Sequence, residues 1–333
     1  MGYMIILMSE RVVELLEEVW ASIGSFCSTL TAEQWALPTD CPGWSVKDNL
    51  AHIIGTERML LGEASPELVG DPPSYVHNDI GRFNQAWVDS RRGVSPEELL
   101  EEFQEVTARR LLQLSSFSPE HFNQVGPSPV GEVSYREFMN VRVFDCWVHE
   151  QDMRRAVGEP GDLTGPVAEL AFWRAASAMP YVVGKRVKAP DGSVILFDIN
   201  GPLVQAFLVR QEQGRAHLVP NRSDVRENGT GDASTPRGSS SLGNSSPMDT
   251  NDDGEGGSST TASSSTSGGE VVMPGSASEP YTPRASLTMG SEVFCMLSCG
   301  RISADQALRD GLLQLRGDLF LANAVANLMN IMI

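Results

Sequence analysis

The chain has 333 residues, 41% of them hydrophobic, and a formal charge of −18. That length gives room for two domains with ordinary globular cores. The charge excludes a nucleic-acid partner, which needs clustered Lys and Arg that release counterions, and it disfavours an anionic membrane surface for the same reason.

In chain order, the apolar patch Met4–Met8 is short, has no basic residue before it and runs into Ser9, Glu10 and Arg11, so it does not read as a signal peptide. No apolar run approaches the length of a membrane span. Five cysteines without the spacing of a small disulfide scaffold agree with a cytoplasmic chain. Ser9 to Leu30 predicts a first helix with Val12, Val13, Leu15, Leu16, Val19, Trp20, Ile23 and Leu30 as a broad apolar stripe, followed by a capped turn at Thr31. Past Pro38, Cys41, Pro42 and Gly43, the stretch Pro42 to Glu63 starts a helix at Ser45, with Asp48 three residues on and Val46, Leu50, Ile53, Ile54 and Leu61 as its apolar face. His52 sits within that face. Trp44, just before the cap, reads as a hydrophobic staple rather than a ligand platform.

A Pro- and Gly-rich loop covers Ala64 to Tyr75, and His77 reads as a solvated loop residue. Asn78 to Arg91 predicts a helix with Ile80, Phe83, Ala86 and Trp87 on one side. Arg82 and Asn84 there are candidates for gripping a carboxylate-bearing substrate or thiol cofactor, since Arg offers a planar fork; a plain surface Arg is the alternative. Ser95 caps Pro96 to Ser116, whose Leu99, Phe103, Val106, Leu111 and Leu114 make a third long face.

Ser134 to Gly158 packs Asp145, His149, Glu150 and Asp152 into an otherwise apolar helix, with a capping signal at Ser134/Glu137 and a stop at Gly158. Phe138, Val141, Phe144 or Asp145, Val148 and Asp152 form the inner stripe, and Arg136, Arg142, Glu150, Arg154 and Arg155 the other side. Asp145 and His149, at i and i+4, point the same way. They are either a buried hydrogen-bonded pair, with Asp152 pairing Arg155 or Arg136, or half of a metal site. His52 on a facing helix completes a set of His52, Asp145 and His149 with an open fourth position, the pattern of a site that does chemistry. Cys146 points away from this set and does not read as a nucleophile.

The runs CPGWSVKDNLAHIIGTE and RVFDCWVHEQDMRRAVG resemble the metal-binding N-terminal domain of the mycothiol-dependent maleylpyruvate isomerase family, itself similar to DinB-like four-helix bundles. The resemblance covers roughly residues 8 to 160. It implies metal ligands at His52, Asp145 and His149, with Asp145 standing where the family pattern has Glu. The shorter carboxylate changes the reach to the metal.

After Gly158, Leu170 to Val183 predicts one helix, and Ser193–Asp198, Val204–Arg210 and Arg215–Val219 predict strands separated by hairpin signals at Asn200-Gly201 and Gln213-Gly214. His217 alternates on the last of these as a surface or half-buried residue. Asn221 to Pro280 is dominated by Ser, Gly, Thr, Asn and Asp, carries nine acidic residues against three Arg, and has almost nothing to bury, so it predicts disorder. A strand Ala285–Met289, a helix Ser291–Ser298, a strand Leu312–Arg316 and a helix Leu319–Ile331 close the chain. This part resembles the sterol-carrier-protein-like C-terminal domain found in the same family. Cys295 and Cys299 lack a second Cys or His pair to complete a metal site and read as core thiols. Arg301 either faces the metal cleft and binds an anionic substrate or pairs with Asp305 at i+4.

The fold expectation is therefore α plus α/β in two domains: a DinB-like four-helix bundle at 1–160 and an α+β sterol-carrier-like domain at 161–220 and 281–333, interrupted by a disordered insertion at 221–280. The functional expectation is a divalent metal, Zn²⁺ by its ligand types, at His52, Asp145 and His149, with Asp152 orienting a ligand imidazole and Arg82 and Arg301 as further catalytic candidates. Mycothiol or a similar low-molecular-weight thiol would take the open position and add to a small electrophilic substrate, as an isomerase or an S-transferase. A metal-stabilised protein that binds a small molecule or lipid without turnover, and a bundle whose polar face is purely structural, are the alternatives.

Overall fold

The structure, a computed structural model, describes residues 10–219 and 281–332. The expected insertion at 221–280 and the Met4–Met8 patch lie outside the described residues. Helices come first: α1 (Arg11–Cys27), α2 (Ala32–Trp35), α3 (Val46–Leu60), α4 (Asp79–Asp89), α5 (Pro96–Ser115) and α6 (Pro119–Asn123). A small hairpin, β1 (Val125–Ser128) and β2 (Gly131–Ser134), leads into α7 (Tyr135–Val157), which α8 (Gly165–Ser177), α9 (Met179–Tyr181) and a π-helical turn at Val182–Arg186 follow. The rest is β3 (Val194–Asn200), β4 (Gln205–Glu212), β5 (Arg215–Val219), β6 (Ala285–Gly290), α10 (Ser291–Ser298), α11 (Ala304–Arg309), β7 (Leu313–Gly317) and α12 (Leu319–Leu328). Among the described residues no helix is long and apolar enough to cross a membrane.

The helix starts follow their caps. Thr31, Ser45 and Ser95 each form a reciprocal capping box, and the Ser134 hydroxyl accepts from the Glu137 N–H, so orphan amide donors at four helix starts are satisfied locally. Three boundaries differ from expectation, the closing helix ending at Leu328 rather than Ile331. The first helix stops at Cys27 and the chain turns through Ser28 to Leu30. The helix expected over Leu170–Val183 instead opens at Gly165, with Pro166 in its first turn, and ends at Ser177. Pro180 lacks the N–H that would continue the ladder, and the chain goes on as α9 and the π turn.

The long helices pack in a cycle, α1 on α5 and α7 and α3 on α5 and α7, while α8 covers a further side of α7. α7 is thereby enclosed. Arg142 and Glu150, expected on its polar side, are buried, because α1, α3 and α8 leave that helix almost no solvent face. A buried charge needs a partner within the protein. Arg142 finds Glu57 of α3 at 2.9 Å, and the other Glu57 oxygen accepts from Arg110 of α5 at 2.9 Å. Three helices are thus joined through one carboxylate that has no access to water.

In the five-stranded sheet the order is β5-β4-β3-β6-β7, with β3 and β6 parallel and the other pairs antiparallel. Gln213 and Gly214 both adopt positive φ, 51° and 75°, as the tight β4–β5 turn requires. Ile195, Phe197 and Ile199 share a buried face with Phe207, Val209, Leu287 and Met289, against which Phe172 of α8 and Phe294 of α10 pack. α8 touches both α7 and α10, and one contiguous apolar cluster runs from Val12 to Met329, with Val194, Leu208 and Val219 in a small separate one. This packing brings the end of α10 to the flank of α7.

Replacing Glu57 by Gln leaves the buried Arg110 guanidinium without a counter-charge and Arg142 with Asp145 alone. E57Q is expected to lose about 3–5 kcal/mol of stability, read from the urea midpoint at constant m-value. A loss under about 1 kcal/mol, the level of an exposed pair, would show that this network does not hold the helices together.

Candidate metal centre

Three ligand-type side chains converge where α3 faces α7. His52 Nε2 lies 3.1 Å from Asp145 Oδ2, and His149 Nε2 lies 3.6 Å from Asp145 Oδ1. Tetrahedral coordination with bonds of about 2.0–2.1 Å sets neighbouring ligand atoms about 3.4 Å apart, so the spacing fits a small divalent ion. Both imidazoles are buried, while the Asp145 side chain keeps 19% exposure and marks the side from which the centre is reached.

His149 is held in one orientation. Asn49, fully buried one turn before His52, donates its amide N–H groups to Thr39 Oγ1 and the Ser45 carbonyl, both at 2.9 Å. Its Oδ1 must then be an acceptor, and it lies 2.8 Å from His149 Nδ1. That assigns the hydrogen to Nδ1 and turns Nε2 towards the cluster, the orientation a metal-binding histidine needs. His52 is held differently: its Nδ1 is buried without a partner, and its ring lies against Trp44, centroids 5.2 Å apart. Trp44 also sits 5.9 Å from the His149 ring and donates its indole N–H to Gln85. The residue read as a staple is therefore a wall of the centre.

Behind the ligands lies Asp152, with no exposure. It accepts from the Cys41 thiol at 3.1 Å, from Arg155, and from Arg301 Nε and Nη2 at 3.0 and 2.9 Å, and it lies 3.3 Å from His149 Nδ1. Arg301 pairs with Asp152, not with Asp305. Arg82 is exposed on α4 and has no ion-pair partner among the described residues. His77 and His217 are exposed and belong to neither ligand-type cluster found among those residues. Cys41, His149 and Asp152 form a second close group, but both oxygens of Asp152 already carry a guanidinium. Cys146 meets Arg142 instead of the centre, and burial pushes its thiol up to about 12.

Charge follows from burial and neighbours. Burial opposes ionisation of Asp145, yet Arg142 at 2.5 Å and the two imidazoles hold it well below the usual carboxylate range. Burial pulls His52 down and prevails over Asp145, leaving a neutral imidazole ready to act as a ligand. Burial also disfavours charge on His149, but Asp145 and then Asp152 outweigh it and carry this imidazole well above its ordinary value. Asp152 stays ionised because His149 and Arg301 overcome its burial.

Asn49, Trp44, Cys41 and Arg142 were not assigned to the site from the sequence. Arg142 and Asn49 carried a usable signal, lying three residues before Asp145 on α7 and before His52 on α3 and so on the same sides of those helices; Cys41 gave none, because its contacts cross between elements.

Residues 16–154 match the family described as the mycothiol maleylpyruvate isomerase N-terminal domain. This part of the chain is similar to that family. Two relatives from Mycobacterium tuberculosis are similar over the same half of the chain. The uncharacterized protein Rv0036c is 28% identical over 175 residues, covering 52% of this chain and 66% of its own length, just under two thirds. The uncharacterized protein Rv0738 is 24% identical over 170 residues, covering 51% of this chain and 78% of its own. The crystal structure of the mycothiol-dependent maleylpyruvate isomerase superposes with a TM-score of 0.49 at 11% identity, over 88% of this chain and 90% of that one. The three ligand-type residues all fall inside the span that the maleylpyruvate isomerase N-terminal domain family matches.

Two expectations follow. N49A, which frees the His149 ring without touching a ligand, should weaken metal binding by roughly 10–100-fold in a chelator competition while the protein stays folded; unchanged affinity would remove Asn49 from the centre. Metal must also displace the Nε2 proton that His149 carries in the metal-free protein. Affinity should therefore rise with pH, approaching tenfold per unit below the His149 transition, with one proton released per metal in calorimetry across buffers of different ionisation enthalpy.

Proposed function

We propose that this protein is a thiol-dependent metalloenzyme acting on a small electrophile. The observation that carries the reading is the convergence of His52, Asp145 and His149, all offering ligand atoms within 4.8 Å of one another, in a region of the mycothiol maleylpyruvate isomerase N-terminal domain family. We read residues 1–160 as a DinB-like four-helix bundle that carries the centre. Residues 161–220 and 281–333 are read as the sterol-carrier-like α+β domain set against it, and the whole as a cytoplasmic protein.

His52, Asp145 and His149 would hold the ion, for which two imidazoles and one carboxylate suit Zn²⁺. When bound there, it supplies the Lewis acidity that keeps a mycothiol-like thiol ionised at neutral pH. The chain's own residues do the rest. Asn49 keeps the Nδ1 hydrogen of His149 in place, so its Nε2 stays available. Trp44 and the buried faces of α3 and α7 exclude water from the inner side, and Asp145 leaves the outer side open. Arg82, exposed and unpaired among the described residues, is the candidate grip for a substrate carboxylate, a fork geometry suited to that group. Thiolate addition to an electrophilic alkene carbon forms a C–S bond and makes the double bond single. Rotation and loss of the same thiolate give the geometric isomer, whereas protonation of the adduct gives the S-conjugate.

A second reading, a metal-stabilised binder of a small molecule or lipid without turnover, is favoured by the engagement of Arg301 with Asp152, which draws that fork away from a substrate. One experiment separates the readings. Protein purified without an affinity tag is analysed for metal, then loaded with Co²⁺ and titrated with thiol. The enzyme reading expects one metal per chain, a thiolate charge-transfer band, and loss of stoichiometric metal in H149A. Metal without a thiol response supports the binder, and no metal in the wild type leaves a structural polar network.

A further inference from the structure

We propose that Arg301, reaching from the C-terminal part of the chain, is a positioning residue for the metal centre: it clamps Asp152 and through Asp152 fixes the orientation of His149. The inference rests on the metal-centre reading above and adds to it a role for a residue about 150 positions away in sequence from the group it controls.

The His149 Nδ1–H has two oxygen acceptors within reach, Asn49 Oδ1 at 2.8 Å and Asp152 Oδ2 at 3.3 Å, with the weakly accepting Cys41 sulfur at 3.8 Å. A carboxylate is the stronger acceptor of the two. Nδ1 nevertheless lies closer to the amide oxygen, and the arrangement around Asp152 explains it. Arg301 covers Asp152 Oδ2 from Nη2 at 2.9 Å and from Nε at 3.1 Å, with Nε also 3.0 Å from Oδ1. Arg155 holds Oδ1 on the other side and is itself anchored to Asp40 at 2.8 Å. Besides Arg301 and His149, the only other donor on Oδ2 among the described residues is the weak Cys41 thiol.

Arg301 is itself fixed. Gly300 takes the left-handed conformation, φ 67°, at the end of α10, which returns the Arg301 N–H to the Met296 carbonyl at 2.8 Å. Its Nη1 donates to the Cys299 carbonyl at 3.0 Å. With every edge of the fork assigned, the guanidinium does not follow movements of Asp152; it sets them. Without it, the uncovered Oδ2 competes for the Nδ1 hydrogen, the ring turns from Asn49 towards Asp152, and Nε2 leaves its convergence with His52 and Asp145.

The role is distinguishable from simple charge. Removing a positive charge near a cation site should tighten cation binding by Coulomb's law, whereas loss of positioning weakens it. Co²⁺ affinity and the visible absorption of bound Co²⁺ are measured for the full-length wild type, R301Q, R301K, D152N and R301Q/D152N, with thermal unfolding as the check on folding. R301Q is expected to bind Co²⁺ about tenfold or more weakly with shifted absorption bands, the size usual for a partner of a ligating histidine. R301K, which keeps the charge and loses the fork, should show the same shift at smaller amplitude. In the D152N background R301Q should add nothing, since its effect runs through that carboxylate. Tighter or unchanged binding with an unmoved spectrum in R301Q overturns the role, as does additivity with D152N. If R301Q fails to fold, the R301K spectrum decides in the same way. A wild type that binds no Co²⁺ overturns the metal centre itself, whereas a wild type that binds it beside unaffected Arg301 variants overturns only the positioning role.

Discussion

The rest of this molecule depends on a helix that is charged and yet enclosed. α7 carries Arg142, Asp145, His149, Glu150 and Asp152 into a position where α1, α3 and α8 leave it almost no water. Each of these groups costs free energy to bury unless a partner meets it, so the fold is acceptable only in an arrangement that brings those partners in. Glu57 meets Arg142, and the same carboxylate binds Arg110. Because Glu57 lies on α3, this pairing also fixes the helix that carries His52 and Asn49 against the one that carries Asp145 and His149. Site geometry is in that sense a consequence of satisfying charge in the core.

Local signals in the chain are strong, and they account for what was legible. Caps at Thr31, Ser45, Ser95 and Ser134 placed four helix starts, because a side-chain oxygen three residues before an amide acts within one turn. Strand alternation and the Gln213-Gly214 turn placed the first meander of the sheet for the same reason. The pairing of Asp145 with His149 was legible from spacing alone, and His52 from its position on an apolar face. What failed was the division of α7 into an inner and an outer side. Amphipathic reading assumes that a helix has a solvent face, and for an enclosed helix the charges report internal partners, not exposure. Short elements such as β1, β2 and α11 carry too few residues to show a period.

The partners themselves were not legible, since they join segments about 100 to 150 residues apart: Asn49 with His149, Cys41 with Asp152, Asp152 with Arg301. No spacing rule reaches that far; only packing does. Here α8 has the decisive part. By lying on α7 with one side and meeting the sheet and α10 with Phe172, it sets the distance between the C-terminal elements and the flank of α7. The apolar contacts of α8 are ordinary, yet they decide whether the Arg301 fork reaches Asp152.

Charge balance around the centre also bears on what its open position prefers. Glu57, Arg110, Arg142 and Asp145 sum to zero, as do Asp152 with Arg301 and Asp40 with Arg155. His52 is neutral, and His149 becomes neutral once its Nε2 is a ligand. A divalent ion held there would therefore bring two positive charges that no surrounding residue offsets. In a site buried on its inner side that imbalance is expensive, and the least costly relief is an anionic fourth ligand arriving from the exposed edge at Asp145. A thiolate meets that requirement better than a neutral thiol or water. The arginine beside Asp145 strengthens the preference, because it already takes part of the carboxylate's charge. Arg142, three residues before Asp145 on α7, binds that carboxylate directly, and this pairing leaves the centre short of negative charge.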